Sequence, residues 1–161
     1  MLAVVQRVSR AAVIIDGRTV GSIDKGLLVL VCAVKGDGEK DVEYLAKKIS
    51  QLRIFEDESG KMNRSVSEAG GKLLVVSQFT LAAQTRKGNR PSFDNAEAPG
   101  RAQELYEAFV GRLRATGIPV ETGIFAAMMS LSLVNEGPVT VPVDSRDASC
   151  SAGAAWGMPG A

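Results

Sequence analysis

Residues 3–34 read AVVQRVSRAAVIIDGRTVGSIDKGLLVLVCAV, and this stretch decides the fold. Residues 4–8, 12–15 and 19–23 are short runs rich in β-branched side chains, which pack well on a pleated surface. Asp16-Gly17 stands between the second and third run. That pair supplies the positive φ angles of a type I′ hairpin turn. Gly26 then opens an unbroken apolar run to Val34, which reads as a central strand buried on both faces. The chain thus begins as an antiparallel meander.

Outward from this stretch the period changes. Val42, Leu45, Ala46, Ile49 and Leu52 follow helical spacing, with Asp37 as the predicted N-cap. Ser59-Gly60 and Gly70-Gly71 mark turns. Residues 73–81 form the next strand, and 85–99 a loop rich in Arg, Lys, Gly, Asn and Pro. A second helix is predicted over 101–115, with Leu105, Phe109 and Leu113 on one face and Gly117 ending it. Strands are predicted at 118–121, 131–134 and 139–143. The fold class is α/β: one domain over residues 1–145, a mixed and mainly antiparallel sheet with two main helices. Residues 146–161 form an Ala/Gly/Ser-rich tail, expected to be loosely ordered.

Composition excludes several classes of function. The formal charge is +1, so nucleic acid would have to be met by a small local surface. The N-terminus lacks a signal peptide's pattern, and no apolar run approaches the ~18 residues of a membrane span. Two cysteines, Cys32 and Cys150, support no disulfide framework, and the expected setting is a reducing cytoplasm. The chain has no histidine. A Ser-His-Asp or Cys-His nucleophile is therefore excluded, and the commonest zinc ligand is missing. Neither a metal nor another cofactor is expected.

Five segments could carry chemistry. Gly36-Asp37-Gly38 lacks the third glycine of a dinucleotide fingerprint, since Asp41 stands there; it reads as a turn with a helix cap. Asp57 and Glu58 beside Ser59-Gly60 read as a solvated hairpin tip. Ser77-Gln78-Phe79-Thr80-Leu81 places polar groups at the end of an apolar strand. Burial there is costly without hydrogen bonds, and a structural and a catalytic reading stand side by side. In strand geometry Ser77 and Phe79 face one way, Gln78 and Thr80 the other. Gly137-Pro138 reads as a turn or as a rigid display of backbone carbonyls. Arg86, Lys87 and Arg90 form a basic loop, either merely solvated or in contact with RNA phosphates.

At these segments the chain resembles the D-aminoacyl-tRNA deacylase family, from Met1 to about Ser145. The matching stretches are Gln6-Arg7-Val8, Leu52-Arg53-Ile54-Phe55, the Ser77 to Leu81 segment, Arg90-Pro91-Ser92-Phe93, Glu121-Thr122-Gly123, and Asn135 with Gly137-Pro138-Val139-Thr140. The resemblance implies a small α/β domain with a barrel-like sheet, pairing as a symmetric homodimer with active sites at the subunit interface. It implies hydrolysis of D-aminoacyl-tRNA, and of mischarged glycyl-tRNA, at the tRNA 3′ end. Ser77, Gln78, Phe79 and Thr80 would form the ester-facing motif. Gly137 and Pro138, joined by a cis bond, would reach into the other subunit's site and reject L-amino acids, with Arg7 holding them. Phe125 and Met129 would line the pocket for the terminal adenosine. Ala126 and Met128 depart from the glycine and aspartate expected there, and Glu136 replaces a more usual aspartate.

An aminoacyl ester is already activated, so backbone N–H groups around Phe79 and an attacking water suffice. The ribose 2′-hydroxyl would assist, or Gln78 would orient it. A covalent Thr80 is disfavoured because no base stands out to activate it. Two other classes compete: a non-catalytic RNA-binding or scaffold domain, and a small-molecule esterase using Thr80. The first is weakened by the near-neutral charge and by only five Phe, two Tyr and one Trp for stacking bases.

Overall fold

The structure is a computed structural model and describes residues 1–86 and 88–148. Strand β1 (Leu2–Ile15) runs for 14 residues where the sequence predicts two short strands. Ser9 and Arg10 in its middle are exposed, and the register of pairing with residues 130–144 shifts by one between Val8 and Arg10, so Ser9 is a bulge that the strand runs through rather than a break. Strands β2 (Arg18–Ile23) and β3 (Gly26–Cys32) follow each other along one edge of β1. Their register is continuous, with Ala11 opposite Ile23, Val8 opposite Gly26 and Leu2 opposite Cys32. The two are segments of one hairpin arm, turned at Asp16 (φ 48) and Gly17 (φ 75), both positive as a type I′ turn requires.

Helix α1 (Glu39–Gln51) leads from β3 to the short hairpin of β4 (Phe55–Glu56) and β5 (Met62–Arg64), then to β6 (Lys72–Ser77). Helix α2 (Pro99–Arg114) leads from β6 towards β7 (Val120–Thr122). These crossovers let β6 pair parallel with β3, and β7 parallel with β6. The sheet curls until β2 approaches β7: a Cβ on Gly21 would lie 2.5 Å from the Thr122 carbonyl oxygen. Glycine is required there by closeness, and the sheet is barrel-like.

Strand β8 (Ser130–Asp144) runs antiparallel along the other edge of β1. The sequence reads it as two strands with a turn between. In the structure Gln6 faces Thr140 and Val8 faces Asn135, so Arg7 alone spans four residues of β8, 136–139. Those four loop out of the sheet, and Gly137-Pro138 sits on the loop.

Burial explains the unbroken apolar runs. Leu27, Val29, Leu73 and Val75 pack against Val42, Leu45 and Ile49 of α1 and Leu105, Phe109 and Leu113 of α2. Leu28, Leu74 and Val76 point the other way, to Val8, Val13 and Ile23 inside the curl. The helix starts differ from expectation. Gly38, not Asp37, is the N-cap of α1, and its N–H donates to the Asp41 carboxylate at 2.9 Å. Asp37 instead accepts from the Val34 N–H at 2.7 Å and the Met1 amine at 2.8 Å, after a turn at Gly36 with φ 92. Helix α2 begins at Pro99, where a missing N–H costs nothing. Among the described residues no helix is long and apolar enough to cross a membrane. The 57–61 segment is an exposed hairpin tip, with Asp57 accepting from Ser59, Lys61 and Asn63. The tail beyond Ala148, with Cys150, lies outside the described residues.

Candidate active site

Strand β6 ends at Ser77, four residues before the sequence-predicted end at Leu81. Gln78 keeps one ladder bond, its N–H donating to the Val31 carbonyl at 2.8 Å. At Gln78 (φ −141, ψ 79) the chain then turns into a single 3₁₀ turn, Phe79–Ala82. The expected strand alternation of Ser77 to Thr80 is therefore corrected. Ser77 stays in the sheet opposite Val31, and the chain leaves the sheet after Gln78, so Thr80 needs no cross-strand partner. Ser77 and Gln78 are half-buried, Phe79 and Thr80 exposed. At the start of the turn the N–H groups of Phe79 and Thr80 have no acceptor among the described residues. The Gln78 side-chain amide donates to the Thr80 hydroxyl at 2.6 Å. An amide nitrogen is no base, so this contact does nothing to activate Thr80 as a nucleophile.

Ser77, Gln78 and Phe79 form one wall of a cavity of about 650 Å³. Phe125 and Met129, from the segment between β7 and β8, form another, with Ala102 and Tyr106 of α2 behind them. The structure thus brings together the polar strand end and the two residues assigned to an adenosine pocket. Thr80 joins them through Gln78. Phe125 packs on Tyr106 with ring centroids 5.8 Å apart. The Tyr106 hydroxyl donates to the Val75 carbonyl at 3.0 Å, and burial pushes its pKa up to about 12. Ala126 lies at φ 60, which accounts for glycine being the expected residue there. Met128 is 92% exposed at the cavity mouth.

Sequence reasoning did not single out three residues of the lining: Cys32, Tyr106 and Glu97. Cys32 is buried at the end of β3, its sulfur 3.5 Å from the Phe79 carbonyl. Burial raises its pKa to about 11, so the thiol is protonated at neutral pH and is no nucleophile. Tyr106 lies on the buried face of a predicted helix and Cys32 at the end of an apolar strand. Neither spacing distinguishes a lining residue from core. Glu97 follows the loop as one polar residue among many, and the sequence offers no signal for it.

Gly137-Pro138 occupies a different place. Its peptide bond is cis and Gly137 has φ 124. A Cβ on Gly137 would meet Arg7 Nη2 at 2.9 Å and Val139 Cγ2 at 2.8 Å. The buried Arg7 donates from Nε to the Glu136 carbonyl at 3.1 Å and from Nη1 to the Ile54 carbonyl at 2.7 Å. Asn135 closes the other side of the loop. Its carbonyl oxygen accepts from the Val139 N–H at 3.1 Å, and its amide donates to Thr140 Oγ1 at 2.9 Å. Gly137 and Arg7 line a separate polar hollow of about 440 Å³ with Lys25, Glu56 and Glu136. Within one chain, then, Gly137, Pro138 and Arg7 are not gathered with Ser77 to Thr80.

The basic loop is a hairpin closed by paired backbone bonds between Gln84 and Ser92, at 2.8 and 3.0 Å. Arg86 and Arg90 lie exposed on its tip, and Lys87 lies outside the described residues. Neither Arg86 nor Arg90 lines the cavity.

Residues 4–144 match the model of a family described as D-Tyr-tRNA(Tyr) deacylase. A D-aminoacyl-tRNA deacylase of Paracoccus denitrificans is 60% identical over 147 residues, 91% of this chain and 99% of the relative. One from Koribacter versatilis is 58% identical over 146 residues, 91% of this chain and 98% of the relative. Among solved structures, a c-Myc DNA Unwinding Element Binding Protein matches with TM-score 0.85 at 40% identity, over 89% of this chain and 98% of its own. A probable eukaryotic D-amino acid tRNA deacylase shares the fold at TM-score 0.73 and 17% identity, over 89% of this chain and 98% of its own.

Proposed function

The chain belongs to the D-aminoacyl-tRNA deacylase family and hydrolyses the aminoacyl-tRNA ester, and from that premise we propose how its residues divide the work. The unpaired N–H groups of Phe79 and Thr80, at the wall of the 650 Å³ cavity, receive the carbonyl oxygen of the ester. This observation carries the reading. As water attacks, a bond forms between its oxygen and the carbonyl carbon, and negative charge collects on the oxygen facing those two donors. Each such donor is worth about 2.7–4 kcal/mol in well-studied hydrolases. The carbon–ribose oxygen bond then breaks and the ribose oxygen takes a proton. Gln78 orients the neighbouring 2′-hydroxyl, which assists. Ser77 lines the same wall, and the adenosine packs against Phe125 and Met129.

The chain acts as a symmetric homodimer in the cytoplasm. Gly137-Pro138 of each subunit enters the cavity of the other, where its carbonyls occupy the space an L side chain needs. A D side chain points away, and glycine has none to exclude, so glycyl-tRNA is also cleaved. In support, the Gly137-Pro138 loop is exposed, is pinned by Arg7 and Asn135, and lies apart from its own chain's cavity. Arg86, Lys87 and Arg90 contact tRNA phosphates. Neither metal nor cofactor takes part.

The test is hydrolysis of D-tyrosyl-, L-tyrosyl- and glycyl-tRNA by the purified, metal-stripped protein. Release of D-tyrosine and glycine, with the L-ester spared, is expected. Cleavage of L- and D-esters at equal rates would overturn the chiral assignment. Thr80→Ala keeps the backbone N–H and is expected to retain most activity; complete loss would favour the covalent route instead.

A further inference from the structure

The cavity accounts for the ester and the terminal adenosine, but the RNA must leave it along some surface, and beside Phe79 lies an aromatic step no part of the reaction uses. The Phe79 ring is 57% exposed and the Phe93 ring 36% exposed. They meet edge to face with centroids 5.2 Å apart and planes at 72°. Phe79 belongs to the cavity wall. Phe93 directly follows Ser92, which closes the basic hairpin against Gln84. From the cavity outward the order is therefore Phe79, Phe93, then the tip with Arg86 and Arg90.

Charge along this path is uneven. The chain as a whole carries +1, yet residues 85–91, TRKGNRP, hold three cations and no acid. The described residues show no ion pair for Arg86 or Arg90. The nearest acid in sequence, Asp94, is held by the Ser92 hydroxyl at 2.7 Å. Exposed aromatic rings leading to unpaired cations are the two components by which proteins hold single-stranded nucleic acid: rings stack on bases and cations follow phosphates.

We infer that the Phe79–Phe93 step, with Arg86 and Arg90 beyond it, seats the unpaired nucleotides that precede the terminal adenosine of the tRNA 3′ end. This inference rests on the hydrolase reading above and extends it from the ester to the RNA. It also explains how a nearly neutral protein holds RNA: a few stacked bases and two or three phosphates need only one local surface.

Comparing two substrates tests it, D-tyrosyl-tRNA and the minimal ester D-tyrosyl-adenosine, which lacks the preceding nucleotides. Phe93→Leu keeps apolar volume but removes the ring face. It is expected to raise KM for D-tyrosyl-tRNA about 10-fold, within the range of stacking losses, with kcat unchanged and the minimal ester cleaved as by the wild type. Arg86→Gln with Arg90→Gln is expected to make the log–log salt slope of tRNA binding shallower by roughly 1.4, from about 0.7 per cation on a single strand. Equal losses on both substrates, or none on either, would overturn the inference. So would a loss that tracks a changed sedimentation coefficient, which would assign the surface to a second copy of the chain. A wild-type protein that cleaves neither ester would sink the hydrolase reading itself, and this inference with it.

Discussion

Arg7 shows how much a single side chain can govern. It is buried in the middle of a strand, and its guanidinium donates to two carbonyls, Glu136 and Ile54. Hydrogen bonds from a charged donor contribute about 1.5–3 kcal/mol each, and a lysine cannot reproduce the fork. Arg7→Lys is expected to destabilise the fold by about 2–4 kcal/mol in urea unfolding and to lower the ratio of D- to L-tyrosyl-tRNA hydrolysis. An unchanged ratio would mean that Arg7 serves stability alone. Cys32 makes a prediction of a different kind. Burial raises its thiol from 9.0 to about 11, so between those pH values the unfolded chain has lost a proton the folded one keeps. Stability is therefore fully present below pH 9 and falls as pH rises towards 11. Tyr106, raised from 10.0 to about 12 for the same reason, extends the decline. Cys32→Ala is expected to flatten the slope just above pH 9 in thermal melts across pH, even if its overall stability is lower; an unaltered slope would show that the thiol is not its source.

Elements are where sequence reading was strongest and where its misses have a common cause. The Asp16-Gly17 hairpin, the doubly buried β3 and β6, and both helix faces follow from periodicity and turn chemistry that the chain carries locally. The missed features depend on partners distant in sequence. Ser9-Arg10 could not be told from a break because only pairing to β8 shows that the ladder continues. The 3₁₀ turn at Phe79 could not be told from more strand because the residues are compatible with both. The looped-out 136–139 segment reads as a turn between two strands, since only the register with β1 shows one strand on either side of it. The site divides the same way: composition exposed the missing histidine and the polar strand end, while the roles proposed for Gly137, Phe125 and Met129 came through family likeness. Asn135 tests the loop as an element, because it bonds both Val139 and Thr140 across it. Asn135→Ala is expected to cost about 1 kcal/mol of stability and to let L-tyrosyl-tRNA be cleaved measurably faster. L-ester cleavage at the wild-type rate would mean Arg7 alone holds the loop.

On the scale of the whole molecule, the cavity beside Ser77–Phe79 and the hollow at Gly137 share no lining residue. One copy holds both the cavity with its N–H donors and the pinned Gly137-Pro138 loop, but among the described residues none lines both. If a second copy joins them, hydrolysis and chiral selection depend differently on assembly. On the proposed division of work, a lone subunit would keep its oxyanion donors and would lack the obstacle to an L side chain. Dilution through the dissociation range is therefore expected to lower the D-over-L ratio more steeply than total ester hydrolysis. A lasting dimer of this kind would bury about 1,200–2,000 Å², so that range is expected at low protein concentration and is to be located by sedimentation before rates are measured. If the ratio stays constant while sedimentation shows the dimer separating, the selective element lies within one chain, and Gly137-Pro138 is not the group that meets the partner's substrate. If the ratio falls with the dimer, a loop held by Arg7 in one subunit sets the handedness accepted in the other, and the symmetric pair, rather than the chain, is the unit that proofreads.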